Sequence, residues 1–193
     1  MKEIVNAVGP CTLKINRDRY GSLVRSIVCQ QISTSAARSI CSRLTELAKP
    51  DGIVPENVAR LSTIQLRSCG LSSQKLSYIN DLTKKVIGDE VDLSQIGRLS
   101  DERVIETLTQ IKGVGHWTAQ MFLVFSLGRP DVLPHGDLGI RTAIRDSYNL
   151  GELPGKATCI EIATPWRPYA SVASWYLWRS LDVVGDNGRA NNE

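Results

Sequence analysis

The segment from Leu108 to Phe122, LTQIKGVGHWTAQMF, is the part of the chain best suited to bind an anion. Its pattern predicts a helix, a tight turn at Gly113-Val114-Gly115, and a second helix that begins at once. The two glycines allow positive φ and the close approach of another backbone, while Val114 can pack into the core. The second helix then offers its N–H groups and the positive end of its dipole to an anion.

Lys112 and His116 flank this turn and add hydrogen-bond donors to it. A DNA phosphate is one candidate ligand, because a helix start can bind it without reading the base sequence. A plain tight connection between two packed helices has the same local pattern. The turn alone therefore leaves both interpretations open.

One carboxylate, Asp137, lies in the segment from Leu133 to Gly139, LPHGDLG, where another helix is predicted to begin. Aspartate is a good N-cap residue, and the local pattern predicts that role. The chain has only two histidines, His116 and His135, so few side chains can act as acids or bases near neutral pH. The sequence therefore offers no obvious dedicated general acid.

The composition is that of an ordinary globular protein: 193 residues, of which 42% are hydrophobic and 22% are charged. The net charge of +3 permits a polyanionic partner without requiring one. Residues 1–10 lack the apolar core of a signal peptide, and no apolar run approaches the roughly 20 residues of a membrane-spanning helix. We therefore expect an intracellular protein with no membrane partner.

The cysteines show no CxxC pair and no regular spacing. Such an odd, scattered set argues against a disulfide framework, a zinc site or an iron–sulfur cluster. We expect them to be small apolar side chains of a reduced protein, and we expect no metal site. The five are Cys11, Cys29, Cys41, Cys69 and Cys159.

Apolar residues recur at helical spacing nearly throughout the chain, and no alternating stretch is long enough to predict a strand. The fold class is therefore all-α. The polar tail, residues 186–193, is expected to fray. A short helix is predicted to begin at Pro55, and longer ones to cover about residues 22–31, 34–47, 62–69, 72–88, 100–109, 116–127, 137–148 and 168–181.

Four segments together resemble the helix-hairpin-helix (HhH-GPD) DNA glycosylase superfamily, and within it the 3-methyladenine DNA glycosylase II (AlkA-like) branch. They occur in the family's order and with family-like separations, over most of the chain. Each segment is weak alone, but the four together are specific. They are Ser26–Ser33 (SIVCQQIS), Ile111–Ala119 (IKGVGHWTA), Leu133–Gly139 (LPHGDLG) and Pro165–Ala170 (PWRPYA).

The resemblance implies that Asp137 is catalytic, because the family's aspartate at this position faces the nucleotide that is flipped out of the duplex. Cleavage of the N-glycosidic bond builds positive charge on the sugar, which a nearby carboxylate stabilises. A base made cationic by alkylation leaves as a neutral molecule and needs no dedicated general acid. Asp137 could then be an N-cap and a catalytic group at once.

Bifunctional relatives carry a lysine two residues after the second hairpin glycine, and its amine forms a Schiff base with the sugar. This chain has Trp117 at that position, and Lys112 lies before the turn. The resemblance therefore implies a monofunctional glycosylase without AP-lyase activity, in which Trp117 lines the base pocket. The iron–sulfur cysteines of some relatives are also missing.

Trp175 matches a family position whose indole stacks on the extruded base, where an electron-rich face favours a cationic ring. Tryptophans at helical spacing in an apolar helix more often belong to the core, and we favour that interpretation for Trp178. Gln30, Gln31 and Ile32 match the loop that fills the space left by the flipped nucleotide. Either Gln31 or Ile32 is the inserted residue, and the alternative for this loop is a polar helix end.

In the family the hairpin contacts DNA backbone phosphates, and its carbonyls could also hold a monovalent cation; no other cofactor is implied. Arg167 matches a family arginine that lies near the aspartate, and we favour a structural ion pair over a phosphate contact for it. The DNA-binding residues implied at the hairpin are Lys112, Gly113, Val114, Gly115 and His116.

The family fold has two helical lobes with a cleft between them. The lobe with the hairpin is expected to span residues 21–128, and the lobe with Asp137 residues 1–20 and 129–185. The chain starts about where the helical part of longer relatives begins. We therefore expect no N-terminal β domain.

The sequence thus predicts a monomeric DNA glycosylase of base excision repair that removes alkylated purines, such as 3-methyladenine and 7-methylguanine, from double-stranded DNA. It would act in the cytoplasm, at the nucleoid, of a prokaryote or in the nucleus of a eukaryote. Two alternatives stay open. One is a non-catalytic helix-hairpin-helix DNA-binding module, and the other is a glycosylase for deaminated bases such as hypoxanthine or uracil.

Overall fold

The structure, a computed structural model, describes the backbone of residues 1–190 and the side chains of residues 1–183. Every regular element in this range is a helix and none is a strand, so the all-α prediction is confirmed. No helix in the same range has both the length and the apolar character needed to cross a bilayer. The α-helices are α1 (Lys2–Val8), α2 (Arg19–Cys29), α3 (Thr34–Leu47), α4 (Pro55–Arg60), α5 (Thr63–Ser68), α6 (Ser73–Ile87), α7 (Asp101–Thr109), α8 (His116–Phe122), α9 (Leu138–Ser147), α10 (Lys156–Ala163) and α11 (Ala170–Ala190).

Side-chain caps fix where six of these helices begin. In each case the cap side chain accepts a hydrogen bond from a backbone N–H in the first turn of the helix that follows, and the caps are Asp18, Ser33, Ser62, Ser72, Ser100 and Asp137. Serine and aspartate side chains compete with helix carbonyls for backbone N–H donors, so these residues are favoured at the start of a helix and disfavoured inside it. The predicted bounds of α3 and the predicted caps of α6 and α7 are confirmed.

Neither α1 nor α10 was predicted from the sequence. In α10, Cys159 is buried while the adjacent Ile160 is 46% exposed, so the apolar residues do not form one stripe. The last helix, α11, extends past its predicted end at Leu181 to Ala190. It therefore takes in residues 186–190 of the predicted frayed tail, and residues 191–193 lie outside the described residues.

Two compact units make up the chain: residues 16–127, here named the hairpin unit, and residues 1–15 with 128–193, the aspartate unit. In the hairpin unit, α2 packs against α3, α6 and α8, and both α4 and α5 pack against α6. Its fully buried core includes Leu23, Ile27, Ile79, Leu82 and Leu108.

Residues 16–20 belong to the hairpin unit, whereas the predicted boundary left them in the other lobe. The Asn16 N–H donates to the Phe125 carbonyl at 2.7 Å, and the Tyr20 hydroxyl oxygen lies 2.7 Å from the Thr83 hydroxyl oxygen. Burial raises the pKa of Tyr20 to about 12. These two contacts fasten the segment before α2 and the first turn of α2 to the rest of the hairpin unit.

In the aspartate unit, α1 and α9 both pack against α11. A hydrophobic cluster contributed by α9, α10, α11 and the turn before α11 forms its core. The first residue of α9 directly follows Asp137, so burial of this helix fixes the position of that carboxylate. The cluster consists of Ile140, Ala143, Ile144, Cys159, Ala163, Trp166, Ala173 and Leu177.

Candidate active site

The hairpin between α7 and α8 has the predicted tight turn, but its two glycines have different roles. Gly113 has φ 77°, in the left-handed region that glycine reaches at little cost. Gly115 has φ −93° and forms the N-cap of α8, a conformation open to other residues. Val114 between them is buried, as predicted.

The two glycines also differ in the space around them. A Cβ on Gly113 would overlap the ring of Tyr78 from α6, whereas a Cβ on Gly115 would meet no heavy atom within 4 Å. Gly113 is therefore required by the packing of the hairpin on its own unit. Gly115 instead leaves open space at the start of α8.

Asp81 of α6 anchors the backbone of the hairpin at Lys112. Its Oδ2 accepts a 2.8 Å hydrogen bond from the Lys112 N–H, and its Oδ1 lies 3.4 Å from the Lys85 ammonium. Burial raises the pKa of Asp81, but the Lys112 hydrogen bond and the nearby lysine charges outweigh it and leave that pKa below its usual value. Asp81 is thus a charged anchor for the turn, and sequence analysis did not single it out.

The loop after α2 has two contrasting glutamines. The Gln30 side-chain amide donates a 2.8 Å hydrogen bond to the Gly113 carbonyl and so braces the hairpin. Gln31 is exposed and has φ 55°, a left-handed conformation that is uncommon outside glycine. Ile32 is 38% exposed. The roles of all three in DNA binding stay predictions, but for Gln30 the structure shows an intramolecular contact.

Other predicted residues of the hairpin unit lie at its surface. Lys112 and His116 are exposed on the two sides of the turn, and Trp117 is 48% exposed in the first turn of α8. Their DNA-binding and pocket roles stay predictions.

Asp137 is fixed by the loop before it and the helix after it. The Asp137 N–H donates to the Pro134 carbonyl at 2.9 Å, and its side-chain Oδ1 accepts the Ile140 N–H at 2.8 Å. The second bond is the N-cap of α9, so the predicted capping role is confirmed. The carboxylate is part-buried, where its charge interacts more strongly than it would in bulk water.

Trp178 of α11 provides a contact that sequence analysis missed. Its indole Nε1–H donates a 2.9 Å hydrogen bond to Asp137 Oδ1. The indole also packs against the hydrophobic cluster of the aspartate unit, so the core interpretation is correct, but it did not include the contact with Asp137. The two residues are 41 positions apart, and no local pattern indicates such a pair.

Trp175 is buried and makes an edge-to-face contact with Tyr176, with ring centroids 4.9 Å apart and planes at 82°. The Tyr176 hydroxyl donates to the Gly9 carbonyl at 3.0 Å, which ties α11 to the segment after α1. The stacking of Trp175 on an extruded base stays a prediction.

Arg167 forms the ion pair that the sequence analysis favoured, with its Nε 2.7 Å from Asp131 Oδ2. The other oxygen of Asp131 accepts the Ala170 N–H at the start of α11. The carboxylate that pairs with Arg167 is therefore that of Asp131 and not that of Asp137. Because the arginine is 73% exposed, this pair contributes little to the free energy of unfolding, and its value is local positioning.

A model of the HhH-GPD superfamily, described as base excision DNA repair proteins, matches residues 24–168. This chain belongs to the HhH-GPD superfamily. The match spans all of the hairpin, Asp137 and the turn that carries Arg167, so the predicted superfamily is confirmed.

This chain is also similar to individual proteins of known name. DNA-3-methyladenine glycosylase 1 of Schizosaccharomyces pombe is 33% identical over 95% of this chain and 82% of its own length. A solved structure of the 3-methyladenine DNA glycosylase of the same yeast, in complex with abasic DNA, has a TM-score of 0.80 at 33% identity, over 92% of this chain and 89% of that one. The DNA-3-methyladenine glycosidase of Bacillus halodurans has a TM-score of 0.83 at 38% identity, over 93% of this chain and 82% of that one.

Proposed function

We propose that this chain is a monofunctional DNA glycosylase that acts as a monomer and removes alkylated purines, such as 3-methyladenine and 7-methylguanine, from double-stranded DNA. The observation that carries the proposal is the part-buried Asp137 carboxylate, held by two hydrogen bonds at the start of α9 in an HhH-GPD chain. The names of the relatives above favour alkylated bases. We place the reaction where the genome lies, at the nucleoid or in the nucleus.

In the proposed reaction, the bond between the alkylated base and C1′ of the sugar breaks and its electron pair leaves with the base. The sugar then develops the positive charge of an oxocarbenium-like transition state, which the Asp137 carboxylate stabilises. Water adds to C1′ and loses a proton. Because the alkylated base departs neutral, this chain needs no side chain that protonates it.

DNA binding is proposed to involve the hairpin and the loop after α2. Gly115 leaves open space at the start of α8, where the backbone of DNA can approach, and exposed Lys112 and His116 lie beside it. The exposed Gln31, in a left-handed conformation, extends the loop that would fill the gap left by a flipped nucleotide. These features support non-specific binding to the DNA backbone, with selectivity left to the base pocket.

We propose that catalysis needs no cofactor. Among residues 1–183, whose side chains the structure describes, no group of three or more histidine, cysteine, aspartate and glutamate side chains is placed to hold a metal ion. A monovalent cation on the hairpin carbonyls stays a prediction. One of these carbonyls, that of Gly113, already accepts a hydrogen bond from the Gln30 side-chain amide. Base excision in the presence of EDTA tests the requirement for a divalent metal.

The deciding experiment for this function is the release of free base from duplex DNA treated with an alkylating agent. We expect chromatography to detect released 3-methyladenine and 7-methylguanine. Single-lesion duplexes that contain hypoxanthine or uracil test the deaminated-base alternative. If folded protein binds DNA and releases no base from any of these duplexes, the chain is a DNA-binding module and the proposal is wrong.

We predict no AP-lyase activity, because Trp117 occupies the position of the Schiff-base lysine and an indole cannot form an imine. Borohydride reduction during turnover should therefore trap no covalent protein–DNA complex, and heat or alkali should be needed to cleave the abasic product. A bifunctional glycosylase with its own substrate is the positive control. A trapped complex with this chain would overturn the monofunctional assignment.

A further inference from the structure

We propose that Trp178 is a positioning residue that holds the Asp137 carboxylate in its reactive orientation. The inference rests on the proposed function, because it names a residue that acts through the catalytic aspartate. Trp178 is not expected to touch the substrate.

The first support is the geometry of Asp137 Oδ1. It accepts hydrogen bonds from the Ile140 N–H at 2.8 Å and from the Trp178 indole N–H at 2.9 Å. The terminal torsion of an aspartate is broad, so a single N-cap hydrogen bond leaves the carboxylate plane poorly defined. A second donor on the same oxygen restricts that torsion.

The second support is the way in which the donor itself is held. Trp178 packs against the hydrophobic cluster to which Ile140 and Leu177 belong, so its ring is fixed by the core of the aspartate unit. An indole nitrogen donates and never accepts, so this contact suits a carboxylate oxygen. Because the packed core fixes the indole, it also restricts the orientation of the Asp137 carboxylate.

The third support is the space at Gly139. A Cβ at this position would lie 3.0 Å from Asp137 Oδ1 and 3.2 Å from Trp178 Cδ1. Both distances are tighter than ordinary van der Waals contact, so any larger residue would displace one of the two groups. A glycine in the first turn of α9 therefore makes the contact between the indole and the carboxylate possible.

The test is Trp178→Phe, which keeps an aromatic ring and removes the N–H donor. Under single-turnover conditions on a duplex with 7-methylguanine, we expect the excision rate to fall about 10-fold. Affinity for a duplex with an abasic-site analogue should stay within about 2-fold of the wild type, since the residue is not expected to contact DNA. Trp166→Phe is the control, because it removes the same volume from the same cluster.

A double-variant cycle separates positioning from general packing. In the Asp137→Asn background, Trp178→Phe should cause no further loss, because the negative charge that it positions is already removed. Equal losses in both backgrounds, or an unchanged rate in the single variant, would overturn the inference while leaving the glycosylase itself intact. A wild-type protein that releases no base would instead remove the proposed function and this inference together.

Two further measurements apply if Trp178→Phe does not fold. Gly139→Ala keeps both side chains and crowds their contact, so we expect a lower excision rate, and a wild-type rate would count against the inference. In ¹H–¹⁵N spectra, Asp137→Ala should shift the indole N–H resonance of Trp178 and leave that of Trp166 in place. An unmoved Trp178 resonance would show that the hydrogen bond is absent.

Discussion

Replacing Asp137 by asparagine is expected to reduce the single-turnover rate of base excision by on the order of 10³-fold. The variant removes the negative charge that would stabilise the cationic sugar, and it keeps the size of the side chain. Asparagine is also a good N-cap, and its oxygen can accept the hydrogen bonds from Ile140 and Trp178. We therefore expect a melting temperature and an affinity for abasic-site DNA close to those of the wild type.

Asp137→Ala provides the comparison that separates charge from structure. Alanine removes the N-cap as well, so it should lower the free energy of unfolding by about 1 kcal/mol in addition to the loss of activity. If the asparagine variant excises 7-methylguanine at the wild-type rate, Asp137 is only a helix cap and the catalytic assignment is wrong. Thermal melts and excision assays on the same samples distinguish these outcomes.

Gly113→Ala is expected to be the most destabilising single change in the hairpin. The alanine would have to adopt φ 77°, and its Cβ would overlap the ring of Tyr78. Left-handed backbone strain alone costs about 1–2 kcal/mol for a residue with a Cβ. With the overlap included we expect a loss of about 2–4 kcal/mol in the free energy of unfolding, together with weaker DNA binding.

Gly115→Ala is the matched control in the same turn. Its φ of −93° suits alanine, and its Cβ would meet open space within the protein. We expect the melting temperature to change little, while affinity for duplex DNA falls if a DNA backbone approaches this face. Equal stability losses for the two variants would show that the turn does not need the left-handed conformation at Gly113.

Much of the secondary structure could be predicted from local chemistry. The serines that begin α3, α5, α6 and α7 compete for backbone N–H groups, and this competition is visible in the sequence. The helix α10 was missed because Ile160, next to the buried Cys159, is apolar and yet exposed, so the apolar residues do not mark a single face. Its position depends on what packs against it, which periodicity does not record.

The residues of the candidate site also divide into those that local sequence predicts and those that depend on tertiary packing. The identity of Asp137 as a carboxylate at a helix start, and of Trp117 in place of a lysine, could be read from the chain. The groups that hold the site could not: Asp81 under the hairpin and Trp178 on Asp137 lie 31 and 41 positions from their partners. A hydrogen bond between distant residues depends on how helices pack, and many side chains could occupy such positions.

By itself, the sequence determined the helical class, the superfamily and the candidate chemical groups, because these depend on residue types and short spacings. Only the tertiary structure decided that Gly113 and not Gly115 needs positive φ, that Gln30 braces the turn, and that Asp137 is bonded twice through one oxygen. The physical reason is that local propensities act between neighbours in the chain, whereas the orientation of a functional group is set by packing between helices that are far apart in sequence.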